Sequence, residues 1–187
     1  MKTHYRNRLI FGVMLLAVIA ISEIILHELH LPTWPVFFVM MFFFLGHTDK
    51  STAPNIIIGA LVGIGCFVIA KPIIVAMIPF IDVGMGRMLY LLDVVGAIVL
   101  FREMVPMALN DYTFAFFLIS GMASRARSHT SNNPFVWMLL TLVGGTILIL
   151  VILGINKIVW VIETRRIQRS ARATARAKKA TAQRSQG

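Results

Sequence analysis

The chain has 187 residues, 58% of them hydrophobic, and sets 8 acidic side chains against 18 lysines and arginines, for a formal charge of +10. That leaves too little polar surface to coat a soluble globule, and the length leaves no room for a sizeable soluble domain beside a membrane region. The single cysteine, Cys66, excludes an intrachain disulfide and a thiolate metal cluster.

A bilayer core about 30 Å thick takes roughly 20 helical residues per crossing. Apolar stretches at 9–30, 54–70 and 135–156 approach that length. The first, from Arg8 to Leu29, reads as a helix closed by Pro32. Ala20-Ile21-Ser22 imitates a leader cleavage site, but apolar character continues through Ile24, Ile25 and Leu26, so an uncleaved anchor is expected. A short aromatic segment, Thr33–Gly46, follows; about 21 Å of helix must tilt, recruit polar flanks or re-enter. After the polar loop Asp49–Thr52, Pro54 opens a third helix carrying Gly59-x-x-x-Gly63. Residues 71–87, broken by Pro72, Pro79, Gly84 and Gly86, read as an interfacial or re-entrant connector. A fourth helix is expected over Met88–Leu109, kinked or cut short by Pro106. A second short segment, Tyr112–Ala123, precedes the polar loop Ser124–Asn133 and a helix from Phe135 to about Asn156 with Gly144-Gly145 and the interfacial Trp160.

The order is long, short, Gly-bearing long, twice over. Each short segment carries a Phe-Phe pair, Phe37–Phe38 and Phe116–Phe117, and each is followed by a Pro/Asn pair, Pro54–Asn55 and Asn133–Pro134. The expected fold is all-α: about six transmembrane or half-spanning helices as two three-helix repeats. Repeat one covers about 8–70 and repeat two about 88–160, within a membrane domain 1–160 followed by a basic tail, 161–187. Three crossings per repeat would invert the second; re-entrant short segments would make the repeats parallel, and the inverted arrangement is favoured. Lys2, Arg6 and Arg8 precede the first helix and nine basic residues from Lys157 to Arg184 follow the last. Both termini are therefore expected on the cytoplasmic side.

Leu31-Pro-Thr-Trp34-Pro-Val-Phe37, the Phe-Phe run before Gly46, the Gly-containing helix after it, the repeated small-residue pattern and the basic tail after Trp160 together resemble the small YcdZ-like family of bacterial inner-membrane proteins. The Trp34 segment with the Gly59/Gly63 helix is also similar to half of an aromatic-acid exporter of the fusaric-acid-resistance type, though without that type's large cytoplasmic domains. The resemblance implies a multi-pass bacterial inner-membrane protein and carries no chemistry.

Ionisable groups inside spans are costly, which marks them for function. Glu23, His27 and His30 share one face of the first helix at i, i+4 and i+7. Asp93 lies in an apolar run and is expected to face protein or a cavity, either in a pathway or paired with Arg87 or Arg102. Glu103 is placed to meet Glu23 or His27 across a pseudo-twofold axis. Trp34, Phe37, Phe38, Phe116 and Phe117 are expected to line a constriction for a small solute. Gly59, Gly63, Gly144 and Gly145 allow close helix packing, within the chain or between copies. Arg125, Arg127 and His129 offer a contact for an anion. Arg165, Arg166, Arg169, Arg172 and Arg176 suit an anionic lipid leaflet, whereas nucleic-acid binding without a folded reader would be unspecific. No phosphate loop, catalytic triad or paired-carboxylate site is recognisable, and no metal or cofactor is expected. The sequence points to a small channel or secondary transporter, acting as a homo-oligomer among membrane lipids. The competing reading is a non-transporting accessory or scaffold protein that uses its tail to hold lipid or a cytoplasmic partner.

Overall fold

The computed structural model describes residues 2–126 and 131–184, with side chains for 9–126, 131–165 and 168. The described residues are helical, with no strand among them: α1 Lys2–Glu28, α2 Trp34–Leu45, α3 Ala53–Met77, α4 Val83–Phe101, α5 Asp111–Ala123, α6 Pro134–Leu139, a π-helical turn Leu140–Gly144, and α7 Gly145–Arg184. Four helical stretches are long and apolar enough to cross a membrane: Leu9–Glu28, Ala53–Met77, Val83–Phe101 and Pro134–Arg165. The helices α2 and α5, of 12 and 13 residues, reach only about 18–20 Å and cannot cross alone.

Helix ends follow local chemistry. Proline occupies the first turn of α2, α3 and α6, where a missing N–H costs nothing. The helix α1 closes through His30, whose φ of 52° is left-handed. There the His30 N–H donates to the His27 carbonyl at 3.0 Å and the Leu31 N–H to the Leu26 carbonyl at 2.9 Å, satisfying carbonyls that the helix end would orphan. The same pair of bonds closes α2 through His47 (φ 56°), with the Thr48 N–H donating to the Phe43 carbonyl at 3.0 Å.

Three boundaries depart from the sequence reading. The helix α3 runs through Pro72 to Met77, and Asp82 caps α4 by accepting from the Gly84 N–H at 2.7 Å. The expected connector 71–87 therefore shrinks to a turn at 78–82. The fourth helix begins at Val83 instead of Met88 and ends at Phe101, cut short ahead of Pro106, one of the two outcomes expected there. Pro106 has no N–H for the Arg102 carbonyl, and the Asn110 amide instead gathers the carbonyls of Pro106 and Met107, both at 3.1 Å. The last helix continues past Asn156 to Arg184, because its alanine- and arginine-rich tail favours helix.

The chain divides into two compact units. One comprises Ser22–Leu150, and the other Met1–Ile21 with Val151–Gly187; α1 and α7 contribute to both. In the second, Ile152 and Ile155 are buried. In the first, α3 is central, packed by α5, α4, α2 and α6. The glycines decide how. A Cβ on Gly63 would strike the Thr113 carbonyl oxygen and lie 2.9 Å from the Phe117 nitrogen, so α5 rests backbone to backbone on α3. A Cβ on Gly59 would strike the Asn110 amide oxygen. At Gly144 the neighbour is Val36, 2.8 Å from such a Cβ, and at Gly145 it is Val39, at 3.0 Å. Each short helix thus beds on the glycine pair of a helix from the other half of the chain. All four glycines are used for packing inside the chain.

Candidate functional site

Within the unit Ser22–Leu150, α2 and α5 meet ring to ring. The Phe116 ring centroid lies 6.3 Å from that of Trp34, 6.5 Å from Phe38 and 5.8 Å from Phe42. Phe42 also meets Tyr112 edge-on at 5.3 Å. These separations are those of aromatic pairs in contact, so the rings fill the seam between the two short helices. Buried Trp137 backs it, edge-on to Trp34 at 5.2 Å and stacked on Phe67 at 5.9 Å. Its indole N–H donates to the Ser131 carbonyl at 3.0 Å, which removes the penalty of burying that donor.

Above this aromatic layer, where α1 ends, α2 begins and α5 ends, lies a cavity of about 550 Å³. Its polar lining comes from Glu23, His27, Thr33 and Asn132, and its apolar walls from Trp34, Phe38, Ile119 and Met122. Glu23 and His27 sit one turn apart on α1 and face the same way. Neither has a hydrogen-bond or ion-pair partner among the described residues. The left-handed closure at His30 followed by Pro32 turns the chain from α1 into α2, and this brings Trp34 to the wall that Glu23 faces. The Ser131 N–H donates to the His30 carbonyl at 3.4 Å, holding the 131–132 segment beside the cavity.

The sequence-derived residues divide. Glu23, His27, Trp34 and Phe38 line the cavity, and Phe116 forms part of the ring layer beneath it. Phe117 points to the other side of α5, into a cluster with Tyr90, Val94 and Ile98. Phe37 is half-buried outside the lining. Two expectations are corrected. Asp93 is exposed on α4 and has no ion-pair or hydrogen-bond partner among the described residues. Its proposed partner Arg102 instead holds Asp111 through two 2.9 Å contacts. Glu103 lies exposed in the turn after α4, since the helix stops before it, and does not approach Glu23 or His27. Arg125 and Arg165 are exposed. The side chains of Arg127, His129, Arg166, Arg169, Arg172 and Arg176 lie outside the described residues.

Sequence reasoning missed Trp137, Asn132 and Asn110. Asn110 was detectable, because Asn-x-x-Thr before an apolar run is a capping pattern. Its side-chain oxygen accepts from the Tyr112 and Thr113 N–H groups at 3.0 and 3.1 Å, and its amide reaches the Asn55 carbonyl at 3.2 Å. This locks the start of α5 to the start of α3. Nothing local marks Trp137 or Asn132 as neighbours of Trp34 and Glu23; about a hundred residues of chain separate them.

Fold and site together define a class: among the described residues, an all-helical fold whose long apolar helices suit a membrane, with an acid-bearing, aromatic-walled cavity where a short helix from each half converges. Compared with protein-family models, curated proteins and solved structures, the chain matches none.

Proposed function

We propose that this is a small inner-membrane carrier of a small solute, held in the cavity between α1, α2 and α5. The observation that carries this reading is the convergence of the two short aromatic helices, from opposite halves of the chain, beside a cavity lined by Glu23, which has no partner among the described residues. Broken or short helices meeting at one point are where membrane carriers place their solutes, and an ionisable group on such a span is costly unless used. The closed ring layer favours a carrier over an open channel, since Phe38, Phe42 and Phe116 must part before anything passes. The exchange of short helices between glycine pairs supports two related halves, with both basic termini on the cytoplasmic side of a bacterial inner membrane.

The test is flux into liposomes containing the purified chain, with small neutral, cationic and weakly acidic solutes. Glu23→Gln and Trp34→Ala should each cut flux of the transported solute about tenfold or more while leaving abundance and helix content unchanged. Flux that survives both substitutions would remove the site.

A second copy of the chain is part of the proposal. Asp93, without an ion-pair or hydrogen-bond partner among the described residues, is exposed on α4 between apolar neighbours Leu91–Leu92 and Val94–Val95, which hydrocarbon would penalise by several kcal/mol. Gly96, one turn on, has open space where a side chain would go, so the same face admits a close helix neighbour. The competing reading, a membrane-anchored scaffold gripping lipid or a cytoplasmic partner through its tail, draws support from the continuation of α7 to Arg184. It predicts loss of membrane or partner attachment, with no flux change, on truncation after Trp160.

A further inference from the structure

We propose that the cavity selects a hydrophobic organic cation, a claim that rests on reading the cavity as the solute site. Its one carboxylate, Glu23, has no hydrogen-bond or ion-pair partner among the described residues. Glu23 is exposed on α1 and most of the cavity surface beside it is apolar, so on a helix suited to a membrane the carboxylate gains from a ligand that brings its own counter-charge. The second element is aromatic. Trp34 and Phe38 both line the cavity, with ring planes at 68° and centroids 6.4 Å apart. A cation over a ring face gains from the negative charge of the π surface. The third element is volume and compliance. About 550 Å³ lies in the range of pockets that bury a drug-sized molecule, and Met122 with Ile119 gives an apolar wall that adapts to shape.

Alternative solutes fit less well. An anion would face the Glu23 carboxylate, with His27 the one described lining residue able to carry a positive charge. A neutral apolar solute would bury Glu23 without a counter-charge, which is costly. A small hydrophilic cation would find the carboxylate but leave the aromatic walls wet. A cation with apolar substituents meets the Glu23 carboxylate and the apolar walls together.

The experiment uses the full chain in lipid nanodiscs and labelled tetraphenylphosphonium, with labelled tetraphenylborate, titrated in separate samples, as a probe of the same shape and opposite charge and triphenylphosphine oxide as a neutral probe. Saturable phosphonium binding is expected, displaced by excess unlabelled phosphonium, with no saturable binding of the borate. Glu23→Gln should weaken it about tenfold or more, Glu23→Asp should retain most of it, and Trp34→Ala should weaken it as well. Helix content and thermal melting of each variant report folding. Saturable borate binding as strong as that of the phosphonium, or undiminished phosphonium binding in folded Glu23→Gln, overturns cation selection. Should the neutral oxide bind as well as the phosphonium, and lose binding in Trp34→Ala, the cavity remains the solute site and only its charge preference falls. Phosphonium and oxide binding that are both indifferent to Trp34→Ala would remove the site and the preference together.

Discussion

Single residues settle how this chain turns. His30 adopts a left-handed backbone at the end of α1, a conformation that costs a side-chain-bearing residue about 1 kcal/mol and glycine almost nothing. His30→Gly should therefore stabilise the fold by up to about 1 kcal/mol, and His30→Val should destabilise it by at least as much; denaturation in detergent reads both. The histidine was a candidate pathway residue on sequence grounds, and the backbone gives it a sufficient structural role. At the next turn, the Ser51 hydroxyl donates to the Asp49 carboxylate at 2.6 Å and the Ser51 N–H adds a bond at 3.0 Å. These bonds hold the Asp49 carboxyl below its ordinary value of 3.8, the hydroxyl contributing most. Because the folded value is depressed, the loop's stabilisation is present above the unfolded value and is lost as pH falls through the folded one. Ser51→Ala should raise the Asp49 titration midpoint, measurable by carboxyl-carbon NMR. The ion pair Arg102–Asp111 is different in kind: its side chains are 55% and 76% exposed, and it contributes little wherever water reaches it.

At the scale of elements, glycine placement decides which helices touch. Gly63 abuts α5 backbone, whereas Gly65, two residues on, faces open space. Gly63→Ala should then cost about 1–3 kcal/mol or prevent folding, because backbone cannot move aside as a side chain can. Gly65→Ala should be neutral or stabilising by up to about 1 kcal/mol, since alanine is the better helix former. Helix content and melting of the two variants, measured side by side, check both. Much of this level was legible. The two short helices were expected at 33–46 and 112–123 and lie at Trp34–Leu45 and Asp111–Ala123, because length and aromatic content are local signals. The 71–87 region was misread because composition cannot show that Pro72 sits on an exposed face where α3 tolerates it. The π-helical turn at Leu140–Gly144 was also invisible. The Thr141 hydroxyl there donates to the Trp137 carbonyl at 2.8 Å, and whether such a bond widens a helix depends on what packs against it.

For the whole molecule, the exposed Asp93 face of α4 is the feature with the largest consequence. The glycine pairs expected to serve contacts are occupied within the chain, while Gly96, one turn from Asp93, faces open space; under the proposed second copy, this is the face to test. Gly96→Cys in a Cys66→Ser background should form a disulfide-linked dimer on mild oxidation in membranes, seen as a doubled mass on a non-reducing gel. A cysteine at Gly65, also facing open space, serves as the comparison. Equal cross-linking at both positions, or none at Gly96, would mean that α4 is not the contact.

Membrane class, helical architecture, the two short aromatic helices and the candidacy of Glu23, His27, Trp34 and Phe38 followed from the chain alone, because hydropathy, helix length and the cost of charge in hydrocarbon act over one or two turns of local sequence. The tertiary structure decided that Phe116 meets the Trp34 helix while Phe117 turns away, that Asp93 faces outward, and that Trp137 and Asn132 join a cavity begun by α1. Those outcomes depend on which face of each helix finds a glycine-sized gap in another, and that complementarity exists only once distant parts of the chain are packed together.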